Sequence, residues 1–154
     1  MNTYIIKKLG EALAFATVGN ETIETNEEIF IQTMGAELVA HIVEMNDIHI
    51  KNITHYVNEQ KGQNILIESQ EKVSKKLSAM RDLSLGAHKN TAEQLFEWLS
   101  FLEGAAFGCW TLIKGTVADS SDEALRELAE DGASFHFELL EHIARELGQT
   151  GADK

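Results

Sequence analysis

The sequence predicts an all-α protein, an antiparallel bundle of four main helices with a short N-terminal helix. Three observations carry this expectation. Apolar residues recur at three- to five-residue steps through four long segments, consistent with the period of a helix that buries one face. No run alternates apolar and polar residues between hairpin turns, as a half-buried strand would. The 154 residues include no proline, so nothing interrupts a helix through a missing N–H or a ring clash. Breaks are therefore expected at glycine and polar clusters, at Gly19-Asn20, residues 60–64, 86–91 and 119–122, with Gly148 near the end.

The first segment, residues 3–17, holds Tyr4, Ile5, Leu9, Leu13 and Phe15 in a loose helical pattern and is expected to pack across one end. The second, residues 26–60, repeats Ile31, Met34, Leu38, Ile42, Met45, Ile48, Ile53 and Tyr56, with Thr25 or Asn26 as its cap. A break near Gly35 would introduce a longer crossover. The third, residues 65–85, gathers Leu66, Val73, Leu77 and Met80 on one side and its lysines mostly elsewhere.

The fourth segment, residues 91–117, is the most apolar, with Leu95, Leu99, Leu102, Ala106, Cys109 and Ile113 as a stripe. Asn90 or Thr91 caps it, and Glu93 in its first turn complements the helix dipole. The fifth, residues 121–147, starts from Ser120 or Ser121 with Glu123 as capping-box partner and ends at Gly148. Four helices of roughly 20–35 residues joined by short loops make neighbours antiparallel, and up-down-up-down is the simplest solution.

Composition is that of an ordinary globular chain, with 44% hydrophobic and 25% charged residues. Residues 1–154 are expected to form one domain, a size that buries about 68–70% of its unfolded surface. Thirteen Lys and Arg against 25 Asp and Glu give a net charge of −12, which repels phosphate backbones and anionic lipids. Nucleic acid and membrane are therefore poor partners. The single cysteine, Cys109, forms no internal disulfide, and the chain opens without the pattern of a secretory signal, so a cytoplasmic location is expected. Cys109 falls toward the apolar stripe, where burial raises a thiol's pKa and blunts its reactivity.

Six histidines are the most informative feature, because imidazole both ligates metals and titrates near neutrality. Advancing roughly 100° per residue, His49 falls in register with Ile42 and Tyr56, and His136 lies among Ala129, Gly132, Leu140 and Ile143. His41 sits at the edge of the second helix's stripe, and His88 precedes the fourth helix in line with Leu95 and Leu99. Several helices thus offer an imidazole to a common interior, where a polar group is costly unless paired or ligated. Each has a structural alternative, a hydrogen bond to a carbonyl or to a neighbour such as Asn52, Gln70 or Tyr56.

A second constellation is carboxylate-based. Glu37, His41 and Glu44 stand at i, i+4 and i+7, and Glu138 and His142 repeat the i, i+4 spacing on another helix, so these five are candidate metal ligands. The Glu-x-x-His motif of carboxylate-bridged di-iron bundles does not occur. His55 and Glu59 only hint at hemerythrin-like ligation. Solvated ion pairs on a helix face are the competing reading.

Residues 97–108 are the most distinctive text. Gly104 and Gly108, four apart with alanines between, leave a flat helix surface that admits another helix or a planar ligand. Leu99, Glu103, Gly104 and Gly108 follow a Leu-x-x-x-Glu-Gly-x-x-x-Gly pattern that resembles the heme oxygenase-like helical families, and residues 135–147 are similar to their final aromatic-rich helix. The resemblance covers about residues 98–147 and implies a tetrapyrrole lying against Gly104 and Gly108. The chain is shorter than typical members and has no histidine in its first segment, where the proximal ligand would stand; His41 or His49 would take that role. Phe107-Gly108-Cys109-Trp110 is similar to the Phe-Gly-x-Trp of chemoreceptor zinc-binding domains, but Ala105 stands where a ligand cysteine belongs.

No phosphate loop, nucleophile elbow or paired-cysteine motif names a reaction. The expected function is a small cofactor-binding bundle that holds heme or iron through inward histidines. The rival is a cofactor-free interaction module that forms homodimers or docks a partner protein, since Trp98, Phe101, Trp110 and Phe137 lie off the central stripes.

Overall fold

In the computed structural model, residues 2–86 and 89–154 are described, and they form six α-helices with no strand among them. None of these helices is long and apolar enough to cross a membrane. The all-helical expectation holds, but the division of the chain differs from the expected one at both ends.

The N-terminal segment is neither short nor peripheral. Helix α1 (Thr3–Thr25) starts at an Asn2 cap, whose side chain accepts the Ile5 N–H, and buries fourteen residues along its length. Gly19-Asn20 does not break it. Asn20 is buried, and its side-chain amide donates to Val43 O at 3.3 Å and Asp47 Oδ1 at 3.1 Å on a neighbouring helix, so its polar group bonds across the helix contact instead of initiating a turn. The expected second helix is two. Helix α2 (Glu27–Met34) and helix α3 (Ala36–Glu59) are separated by Gly35, whose φ of +87° is open to glycine and strained for other residues.

Helix α4 (Gln63–Ser84) is amphipathic, as its pattern predicts. Helix α5 (Ala92–Thr116) begins at Thr91 with a full capping box to Gln94. Helix α6 (Glu123–Ala152) is capped by Asp122, which accepts the Leu125 N–H at 3.1 Å. Neither Ser120 nor Ser121 is the cap, although Ser120 Oγ accepts from the Asp122 N–H. The helix also continues past Gly148.

Cross-helix contacts give the directions. Asn20 meets Asp47, while Ile5 and Ile6 share a small cavity with Tyr56 and Gln60, so α1 and α3 run antiparallel. Trp98 Nε1 donates to Thr22 Oγ1 and the Cys109 thiol to Lys8 O, so α5 is also antiparallel to α1. Lys114 with Glu130 and Lys154 with Glu93 set α6 against α5. Ser69 Oγ donates to Lys7 O at 2.7 Å, and Arg81 pairs with Glu21 at 3.1 Å, which makes α4 parallel to α1. Helix α4 buries only Leu66 and Leu77, so it flanks α1, and α1 lies in the interior instead of packing across one end.

Candidate functional site

The interior between α1, α3, α5 and α6 is not wholly apolar. His49 on α3, Glu103 on α5 and His136 on α6 are each at most 2% exposed. Helical phase puts them there. His49 shares its face with Ile42, Asn46 and Ile53, Glu103 with Leu99, Leu102 and Ala106, and His136 with Ala129, Ala133 and Ile143, all buried.

The Nδ1 of His136 meets the Glu103 carboxylate in a short buried contact. That bond fixes the ring's orientation and leaves Nε2 with no protein partner. Both ring nitrogens of His49 are likewise unpartnered. The two imidazole centres stand 6.0 Å apart, their planes inclined at 45°. Aromatic rings close round them: Trp110 lies 5.8 Å and Phe135 5.4 Å from the His49 ring centre.

On the α1 side, Asn46 Nδ2 donates to Asn20 Oδ1 at 2.9 Å, joining the chain of bonds that ends at Asp47. Gly19 faces this layer. A methyl group added there would stand 3.5 Å from Asn46 Nδ2 and 4.0 Å from Glu103 Oε1, so the amide and the carboxylate flank one spot. Burial, reinforced by the neighbouring His136, pushes the His49 pKa down to about 4. His49 is therefore neutral at pH 7, the form in which imidazole ligates a metal.

The chain matches no protein family, no curated protein and no solved structure. The chemistry must be read from the site itself.

The structure brings His49 and His136 together, as their phase predicts, and disperses the other candidates. His41 is exposed, its ring edge-on to Phe135 with centres 6.5 Å apart. Glu37, His41 and Glu44 line an open surface depression, while Glu138 is exposed. His142 is half-buried and stands 3.7 Å from Glu146. Among the described residues no three His, Cys, Asp or Glu side chains converge in a metal-binding group; Glu37, His41 and Glu44 stand on α3, and Glu138 and His142 on α6. His55 and Glu59 form an exposed pair on one face of α3. His88 lies outside the described residues.

Gly104 and Gly108 lie on the outer side of α5, and no atom of another element comes within 4 Å of where their Cβ would be. They are not placed beside the histidines. Close approach occurs instead at Gly132, where an added Cβ would collide with the Trp110 indole, and at Gly10, where it would collide with Ser69 and the Leu66 carbonyl of α4.

Glu103, Asn46 and Asn20 were not singled out from the sequence as part of a site. The signal for Glu103 was present, since it falls between Leu102 and Ala106 on the buried stripe, where a carboxylate requires a partner. Asn20 carried the opposite signal, a turn former beside glycine. Cys109 is buried as expected, with burial pushing its thiol up to about 12.

Proposed function

We propose that this protein is a helical cofactor-binding protein whose interior histidines, His49 and His136, hold an iron ion, with Glu103 orienting His136. The reading rests on one observation. Both ring nitrogens of His49 and the Nε2 of His136 are buried without a protein partner, in a core where such atoms are almost always satisfied. A carboxylate on the far nitrogen of a histidine is also the usual support of a ligating imidazole, fixing its tautomer and raising its basicity. Metal–imidazole bonds of about 2 Å allow one ion between two rings whose centres lie roughly 6 Å apart, in keeping with the observed 6.0 Å. A heme macrocycle would instead require α3 and α6 to separate and expose Trp110 and Phe135. Iron is therefore favoured over heme.

The test is an anaerobic titration of ferrous iron, with a parallel hemin titration, into the parent protein, His49→Ala and His136→Ala. Stoichiometric iron binding by the parent should weaken well beyond tenfold in either variant, where each tenfold is about 1.4 kcal/mol. Undiminished binding by both variants, or none by the parent, would overturn the proposal. A Soret band that depends on both histidines would favour heme.

A second reading, self-association, is favoured by the outer face of α5. Phe101, Ala105, Gly108 and Leu112 recur there at steps of four, three and four; all four are exposed, as is Phe137 on α6. The order is self-complementary. In an antiparallel pairing of two copies, Phe101 meets Leu112 and Ala105 meets Gly108, as a two-fold interface requires. Light scattering on the parent and on Phe101→Glu tests it, with a dimer expected only for the parent.

A further inference from the structure

Beyond the histidine site, an open groove of about 790 Å³ is bounded by the C-terminal end of α1, by α2 and by the outer face of α3. Helix α3 lines it in alternating steps of three and one from Ala36 to Lys51. Those 15 steps of about 1.5 Å span about 22 Å, the reach of roughly four turns of a docked helix. The floor is apolar, with Val39, Val43 and Ile48 from α3, Ile23 from α1 and Ile31 from α2. Ala36 and Ala40 keep one end shallow enough for a backbone to come close.

The rim is acidic. Glu24, Glu27, Glu44 and Asp47 face the groove against a single cation, Lys51. Among the described residues, Glu24, Glu27 and Glu44 form no ion pair. A long apolar floor selects an elongated apolar face, and three unneutralised carboxylates select positive charge beside it. We infer that this groove docks an amphipathic helix of a partner protein, its apolar stripe on Val39, Val43 and Ile48 and its flanking Lys or Arg residues on Glu24, Glu27 and Glu44.

The probe is a fluorescein-labelled helical peptide of about 18 leucine and lysine residues, with leucines at i, i+3, i+4 and i+7 spacing. A scrambled peptide of the same composition is the control, since the net charge of −12 attracts any polycation. Fluorescence anisotropy should show saturable one-site binding of the amphipathic peptide alone. Ala40→Arg, at an exposed site on the floor, should weaken it by about tenfold or more. Ala118→Arg, the same charge change in the loop between α5 and α6, should leave it unaltered. Glu24→Gln with Glu27→Gln and Glu44→Gln should weaken binding and flatten its salt dependence. Equal binding of the scrambled peptide, unaltered affinity in Ala40→Arg, or no saturable binding would overturn the inference. So would a parent dimer that Ala40→Arg converts to monomer, because a second copy would then occupy the groove.

Discussion

The indole of Trp110 on α5 lies directly against the backbone of Gly132 on α6, with no room for a Cβ between them. Trp110 is itself buried against His49, so it cannot swing aside without opening the polar layer. Gly132→Ala should therefore destabilise the protein. Overpacking costs about 1–3 kcal/mol against the roughly 0.5–1 kcal/mol that alanine contributes over glycine inside a helix. Gly148→Ala, inside α6 where nothing approaches, should give that roughly 0.5–1 kcal/mol without opposition. Urea unfolding of the two variants reads the contrast, and equal effects would contradict the packing.

The metal-free protein should lose stability on acidification through His49. Its folded pKa of about 4 lies below the ordinary histidine value of 6.5, so the unfolded chain binds the extra proton first. The stability is fully present above 6.5 and falls as pH drops toward 4, by about 3 kcal/mol at 1.36 kcal/mol per unit. Carboxylates contribute their own acid sensitivity, so the measurement is a difference: unfolding free energies at pH 7 and 4.5 for the parent and for His49→Leu. The variant should show the smaller loss; an equal loss would remove His49 from the explanation.

Tyr56 on α3 donates to Asp122 Oδ2 at 2.8 Å while Oδ1 of the same carboxylate caps α6. Burial, then this bond, pushes the Tyr56 pKa up to about 12. Tyr56→Phe should cost about 0.5–1.5 kcal/mol, the net worth of one hydrogen bond. Asp122→Ala should cost more, since it also removes a cap worth about 0.5–2 kcal/mol. A double-mutant cycle in thermal unfolding checks the coupling, which should be non-zero.

Cys109 should be inert in the folded protein. Its thiol is buried, donates to Lys8 O, and has a pKa pushed to about 12, so little nucleophilic thiolate forms at neutral pH. Modification by a thiol reagent should follow the unfolding equilibrium and accelerate with urea. Rapid stoichiometric labelling under native conditions would show that the α1–α5 contact opens readily.

By itself the sequence determined the all-helical class, the amphipathic faces of α4 and α6, the burial of Cys109 and the inward direction of His49 and His136, and it narrowed the α5 cap to Asn90 or Thr91. Each follows from local chemistry, from a 3.6-residue period or from a side chain that can reach a nearby backbone group. Only the tertiary structure decided that Gly19-Asn20 continues α1, because Asn20 bonds to Asp47 and Val43, residues more than twenty positions away. Only it decided that α1 lies inside and α4 on its flank, since apolar stripes of similar strength do not encode which helices they meet. It also joined Glu103 to His136 and turned Gly104 and Gly108 outward while Gly132 received Trp110. Glycine spacing marks where a backbone is bare, and the packing of six helices determines which bare surface is covered.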